Sequence, residues 1–226
     1  NKILNKFNLK INHKTTVALI GHSGSGKSTI LNLLTKSYLP ENGIITIDNV
    51  DIRDLDEATF KDAISIVSQS PYIFNMSIKD NLLLVNPDAS LEEIDKVCKQ
   101  ACLHDYINSL PDKYDTVIGE SGVNLSGGQK QRVAMASALA SDKRFLIYDE
   151  PTSGLDYIHM IEVADAIKRM KAAGRTQFVI THDSELVSRC CDYILFLECG
   201  EVKCIGNIDD MAIQETLQEF WNQVYM

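Results

Sequence analysis

Short apolar runs alternate along this chain with longer stretches whose apolar positions recur every three or four residues. The short runs read as strands and the longer stretches as helices, and their alternation predicts an α/β domain. Residues 16–20 form a predicted strand entering a glycine-rich turn, and 27–37 the helix leaving it. Residues 44–47 and 64–67 are further strand candidates, the first preceded by the turn signal Asn42-Gly43. From about Pro71 to Asp142 the texture becomes mostly helical. Leu91, Ile94, Val97, Cys98 and Ala101 fall at helix spacing, with Ser90 as N-cap and Glu93 at the capping-box position. Strand-like runs return at 145–148, 177–181 and 193–197. Cys199-Gly200 then turns into a last strand over 201–205, and 209–225 is an amphipathic closing helix. A helical insert between strand-rich parts predicts two lobes in one domain over 1–226. One lobe takes about 1–70 and 143–226, and the helical one about 71–142.

Composition narrows the classes. The chain has 226 residues, 45% hydrophobic and 23% charged, as in folded globular chains and unlike disordered ones. Lys+Arg of 22 against Asp+Glu of 31 leaves a net charge of −9, with no dense basic stripe, which disfavours nucleic acid as a partner. No apolar run approaches the ~18–20 residues that span a bilayer, and the first ten residues lack a signal-peptide pattern. The expectation is a soluble, intracellular chain whose membrane connection, if any, comes through a partner. The six cysteines are scattered without C-x-x-C spacing, so buried or half-buried free thiols are expected rather than a metal or disulfide framework.

The chemistry concentrates in three places. Gly21-His22-Ser23-Gly24-Ser25-Gly26-Lys27-Ser28 fits G-x-x-x-x-G-K-[ST] between a strand and a helix. Glycines let successive N–H groups face inward as an anion nest, and the following helix adds its positive end. Lys27 can reach outer phosphates, Ser28 can ligate Mg²⁺, and Thr29 follows in the same turn. A plain Gly/Ser loop would not need the strand–loop–helix context. Next, the apolar run 145–148 ends in Asp149 and Glu150, an acid pair where α/β sheets bind ligands. Asp149 can hold Mg²⁺ through water, and Glu150 can act as general base on an attacking water. Pro151 biases Glu150 away from helical geometry. Finally, Leu125-Ser126-Gly127-Gly128-Gln129 precedes a helix over about 129–140. Ser126 can cap it, and the paired glycines leave bare amides, a second anion site or a simple helix cap.

With this last motif the chain resembles the nucleotide-binding domain of ABC transporters, whose signature is L-S-G-G-Q. The resemblance covers essentially the whole chain, and the motifs come in the family's order. It implies a P-loop NTPase core with a mixed sheet and an inserted helical subdomain. Gly21–Ser28 corresponds to Walker A, Leu125–Gln129 to the signature and Phe145–Glu150 to Walker B. Gln69 corresponds to the Q-loop glutamine that touches Mg²⁺ and the attacking water. Ser153-Gly154-Leu155-Asp156 looks like the D-loop, and His182 like the switch histidine at the γ-phosphate. By that resemblance Glu150, His182 and Gln69 are catalytic, and Ser28, Gln69 and Asp149 hold Mg²⁺. ATP would be bound by Gly21 to Thr29 of one copy and by Ser126, Gly127, Gly128 and Gln129 of a second domain paired head-to-tail. A transmembrane domain would hold the pair at the cytoplasmic face of a membrane.

Two features depart from the family pattern. The aromatic residue on which the family stacks adenine lies upstream of the segment matching 3–11 and has no counterpart here, since Phe7 sits close to the phosphate loop. Either adenine affinity is weakened or the chain is a piece of a longer polypeptide. The second departure is one of style. Residues 55–60, 74–81 and 119–122 look like exporter domains, the last being where exporters read their membrane-domain helices. After about Ala136, Asp149-Glu150-Pro151-Thr152-Ser153-Gly154-Leu155-Asp156 looks like importer ATPases. A mosaic of two branches and drift within one both fit. Three functions remain in view: an ATPase powering export, a soluble ABC ATPase acting on nucleic acid or ribosomes, and a nucleotide-binding module with little or no hydrolysis.

Overall fold

The structure, a computed structural model, describes residues 3–119 and 122–224. Glu120 and Ser121 of the 119–122 stretch, and Tyr225 of the expected closing helix, lie outside the described residues. In chain order the elements begin with β1 (Thr16–Ile20), α1 (Lys27–Leu34), the hairpin β2 (Thr46–Ile47) and β3 (Val50–Asp51), α2 (Glu57–Ala63) and β4 (Ile64–Val67). Then come β5 (Met76–Ser77), α3 (Ile78–Leu83), α4 (Leu91–Gln100), α5 (His104–Ser109), β6 (Val117–Ile118) and α6 (Gly127–Ala140). The chain continues through β7 (Phe145–Asp149), α7 (Tyr157–Ala172), β8 (Thr176–Ile180), α8 (Ser184–Cys190), β9 (Tyr193–Glu198), β10 (Glu201–Asn207) and α9 (Met211–Val224).

Six strands make one mixed sheet in the order β10-β9-β1-β8-β7-β4, parallel except for β10, which runs antiparallel to β9. A parallel interior is covered on both faces, which is why β1 and β8 are buried at every position. Residue parity divides those faces. Val17, Leu19, Ile147, Phe178 and Ile180 point into a core shared with Ile30 of α1 and with Leu4, Phe7, Leu9 and Ile11 of the leading segment. Ala18, Ile20, Leu146, Tyr148 and Val179 point into the larger core, built with α6, α7, α8 and α9. This is the α/β P-loop architecture, with α3 to α6 set between β4 and β7.

The local chemistry explains most boundaries. Ser90 and Glu93 form the expected capping box at the start of α4. Helix α1 ends at Leu34, three residues early, where Lys36 turns left-handed at φ +58° and donates its N–H to Leu33. Residues 46–47 of the expected 44–47 strand pair with β3 across a two-residue hairpin turn, in which Asp48 and Asn49 are both left-handed (φ +50° and +68°), and Ile45 O accepts from Ile52 N–H at 2.9 Å. Helix α6 starts two residues before its expected position, at Gly127 itself. The cysteines are free thiols, buried or half-buried except Cys199, which is exposed in the turn before β10. There the expectation fails, because a left-handed turn residue (φ +49°) sits at the surface.

Candidate nucleotide site

Parallel neighbours put their C-terminal ends on one edge of the sheet, so β1, β8 and β7 deliver the phosphate loop, His182 and the Asp149–Glu150 pair side by side. The loop turns on Ser25 N–H, which donates to His22 O at 3.1 Å. Gly21 passes so close to β9 that a Cβ would stand 2.2 Å from Leu197 O, so no other residue fits. Gly26 caps α1 at φ 110° with no side-chain bond, leaving the first amides of the helix uncommitted. Lys27 Nζ folds back across the loop, donating to Gly21 O at 2.6 Å and His22 O at 3.0 Å. Burial pushes its pKa down, against the opposing pull of Glu150 and Asp149. Ser25 Oγ is buried without a partner, while Ser23, Gly24 and Ser28 are exposed and Thr29 is half-buried.

Opposite the lysine, burial and the neighbouring Glu150 push the Asp149 carboxyl above its usual range, with Lys27 pulling the other way. Two adjacent carboxylates, an orphaned serine hydroxyl and a row of free amides suit a metal-bound polyphosphate: the metal relieves the acids and the amides take the anion. Glu150 is held by its N–H to Ile180 O at 2.8 Å and sits left-handed at φ +47°. That conformation is uncommon outside glycine and is found disproportionately at functional sites. It agrees with Pro151 excluding the right-handed helical region. His182 Nδ1 lies 2.8 Å from Glu150 Oε2, but no donor is aligned on that buried oxygen.

Gln69 reaches the same neighbourhood from β4 and donates its side-chain amide to Ser153 Oγ at 3.0 Å. Thr152 Oγ1 donates to Asp183 Oδ2 at 2.9 Å, joining the D-loop segment to the residue after His182. Asp183 also caps α8, and Asp156 caps α7.

Leu125 to Gln129 is built differently. Ser126 Oγ accepts from Gln129 N–H, and Gln129 Oε1 accepts from Ser126 N–H at 2.8 Å, so both side chains are spent on a capping box. A Cβ on Gly127 would meet Leu155 at 3.3 Å, and one on Gly128 would meet the His159 ring at 2.9 Å. The start of α6 therefore lies against Leu155 of the D-loop segment and His159 in the first turn of α7. Sequence reasoning missed Gln131, whose buried side chain bonds the backbone of Ser68 and Gln69. A single polar residue on a helix carries no pattern that reveals such a contact.

Residues 4–153 match the family described as ABC transporters. The chain belongs to that family. It is 45% identical over 211 residues to P-glycoprotein 14 of Caenorhabditis elegans, covering 93% of this chain and 16% of that protein. It is 37% identical over 214 residues to the ATP-dependent lipid A-core flippase of Chromohalobacter salexigens, covering 95% of this chain and 37% of that one. A bacterial Atm1-family ABC exporter solved with ATP bound superposes with a TM-score of 0.88 at 34% identity, over 100% of this chain and 40% of that one. This ABC transporter chain spans well under half the length of these relatives, and what it holds is the ATPase domain of the exporter type. One exporter structure covers it on both sides of residue 136, including the stretch with the importer-like wording.

Proposed function

We propose that this domain binds MgATP between two head-to-tail copies, hydrolyses it, and thereby drives export through a transmembrane domain at the cytoplasmic face of a membrane. One observation carries the reading: Lys27, Asp149, Glu150 and His182 meet at one sheet edge although they are scattered from residue 27 to residue 182. The phosphate loop from Gly21 to Thr29 takes the triphosphate, with Lys27 leaving its two carbonyls for the outer phosphates. Ser28, Asp149 and Gln69 hold Mg²⁺, which, when bound, offsets phosphate charge and orients the outer phosphates. Glu150 accepts the proton of the attacking water, and His182 positions the γ-phosphate beside it. Ser126, Gly127, Gly128 and Gln129 face the nucleotide of the second copy, where the amides of Gly127 and Gly128 complement its charge.

Among the described residues no helix is long and apolar enough to cross a membrane. One feature supports the membrane-domain partner. Tyr72 is 78% exposed and Phe74 47% exposed on the rim of a groove of about 240 Å³ reaching to Leu84, Val85 and Ala134. Phosphate release by the purified chain at millimolar ATP, with and without Mg²⁺, tests the central claim. Metal-dependent release is expected, and none in either condition would make this a binding module.

A further inference from the structure

Gln131 belongs to neither the signature nor any other motif of the chain, yet it is 3% exposed. Its Nε2 donates to Gln69 O at 2.8 Å and to Ser68 O at 3.2 Å, and its Oε1 is buried without a partner. The amide is oriented by those bonds, since rotating it would aim an oxygen at two carbonyl oxygens. Gln131 lies near the beginning of α6, two residues past the Gln129 that closes the capping box. Arg132, the next residue, is buried and ion-paired to Glu162 of α7, which fixes the rotation of the helix about its axis. One rigid helix thus presents the Gly127–Gly128 amides at its tip and holds the Gln69 backbone from its flank.

We infer that Gln131 is a positioning residue that sets where Gln69 presents its side chain to the metal and the attacking water. The inference rests on the role proposed above for Gln69.

Gln131→Met keeps length and apolar bulk and removes both bonds. In the full chain, turnover at saturating MgATP is expected to fall about tenfold. The Mg²⁺ concentration for half-maximal turnover is expected to rise roughly tenfold, as when a residue supporting a metal ligand is lost. ATP affinity measured without Mg²⁺ should stay within about twofold, because Gln131 does not touch the phosphate loop. Combined with Gln69→Ala, Gln131→Met should add no further loss, since it acts through Gln69. Should Gln131→Met fail to bind ATP, Gln131→Asn, one methylene too short, carries the same expectations. Unchanged turnover and Mg²⁺ dependence in a binding-competent variant would overturn the inference alone, as would losses that add to those of Gln69→Ala. An inert wild type would overturn the ATPase reading and this inference with it.

Discussion

Helices α1 and α6 both begin at glycine-rich motifs, and each has backbone amides at its start, but their surroundings are opposite. Around the start of α1, whose own first residue is Lys27, the sheet gathers two carboxylates and a histidine, and Gly26 commits no side chain to the helix end. Around the start of α6 both polar side chains of the motif bond each other's backbone, and the two glycines rest on Leu155 and His159. A helix end contributes about half a charge and roughly 0.3–1 kcal/mol at an exposed site. That is too little to hold a triphosphate unaided. Thus the start of α1 is surrounded by charged groups of its own chain, whereas the start of α6 offers little beyond its helix end.

Variants at the two helix starts separate these roles. The largest effect is expected for Glu150→Gln, which keeps size but cannot take a proton. Turnover should drop on the order of 10²–10⁴ while ATP binding persists, and a closed dimer should accumulate in size-exclusion chromatography at millimolar ATP. A wild-type rate in that variant would move the base to another group, with His182 next in line. Lys27→Ala removes the full charge that distinguishes α1 from α6, so MgATP affinity should fall roughly 10²-fold in a calorimetric titration. Retained affinity would erase the contrast. Gly127→Asp puts a carboxylate at the α6 tip and should abolish ATP-dependent pairing, with monomer affinity within about twofold. Pairing that survives would reduce the motif to a helix cap. The smallest effect is reserved for Ser126→Ala, which breaks the capping box and should cost about 1 kcal/mol in chemical denaturation. Nucleotide affinity of the monomer should not move.

The legible parts of the molecule were those written in local pattern. The apolar runs Val17–Ile20 and Phe178–Ile180 announced β1 and β8, the latter within one residue, and Ser90 with Glu93 announced α4, because each depends on neighbours in sequence. The phosphate loop and the acid pair were legible for the same reason: strand, turn and helix follow one another without a gap. What stayed hidden depended on distance or on backbone conformation. The strand expected to end at residue 47 does so, but its partner Val50–Asp51 is two residues long, too short to show an alternating pattern. The left-handed Glu150 is set by its bond to Ile180, thirty positions away. The hold of Gln131 on Gln69 crosses between elements that no periodicity pairs.

The sheet order has a consequence for how the chain is made. Thr16 pairs with Gln177 on one side and Val17 with Tyr193 on the other. At ~5–20 residues per second of synthesis, β1 waits roughly ten to thirty seconds for the first of these neighbours. During that time an apolar strand, Thr-Val-Ala-Leu-Ile, has both edges open to any other extended chain. A product cut short before residue 176 would never close them, and its expected fate is aggregation rather than a partly active fragment. Of the six strands in this sheet, the one that carries the phosphate loop is made first and is among the last enclosed.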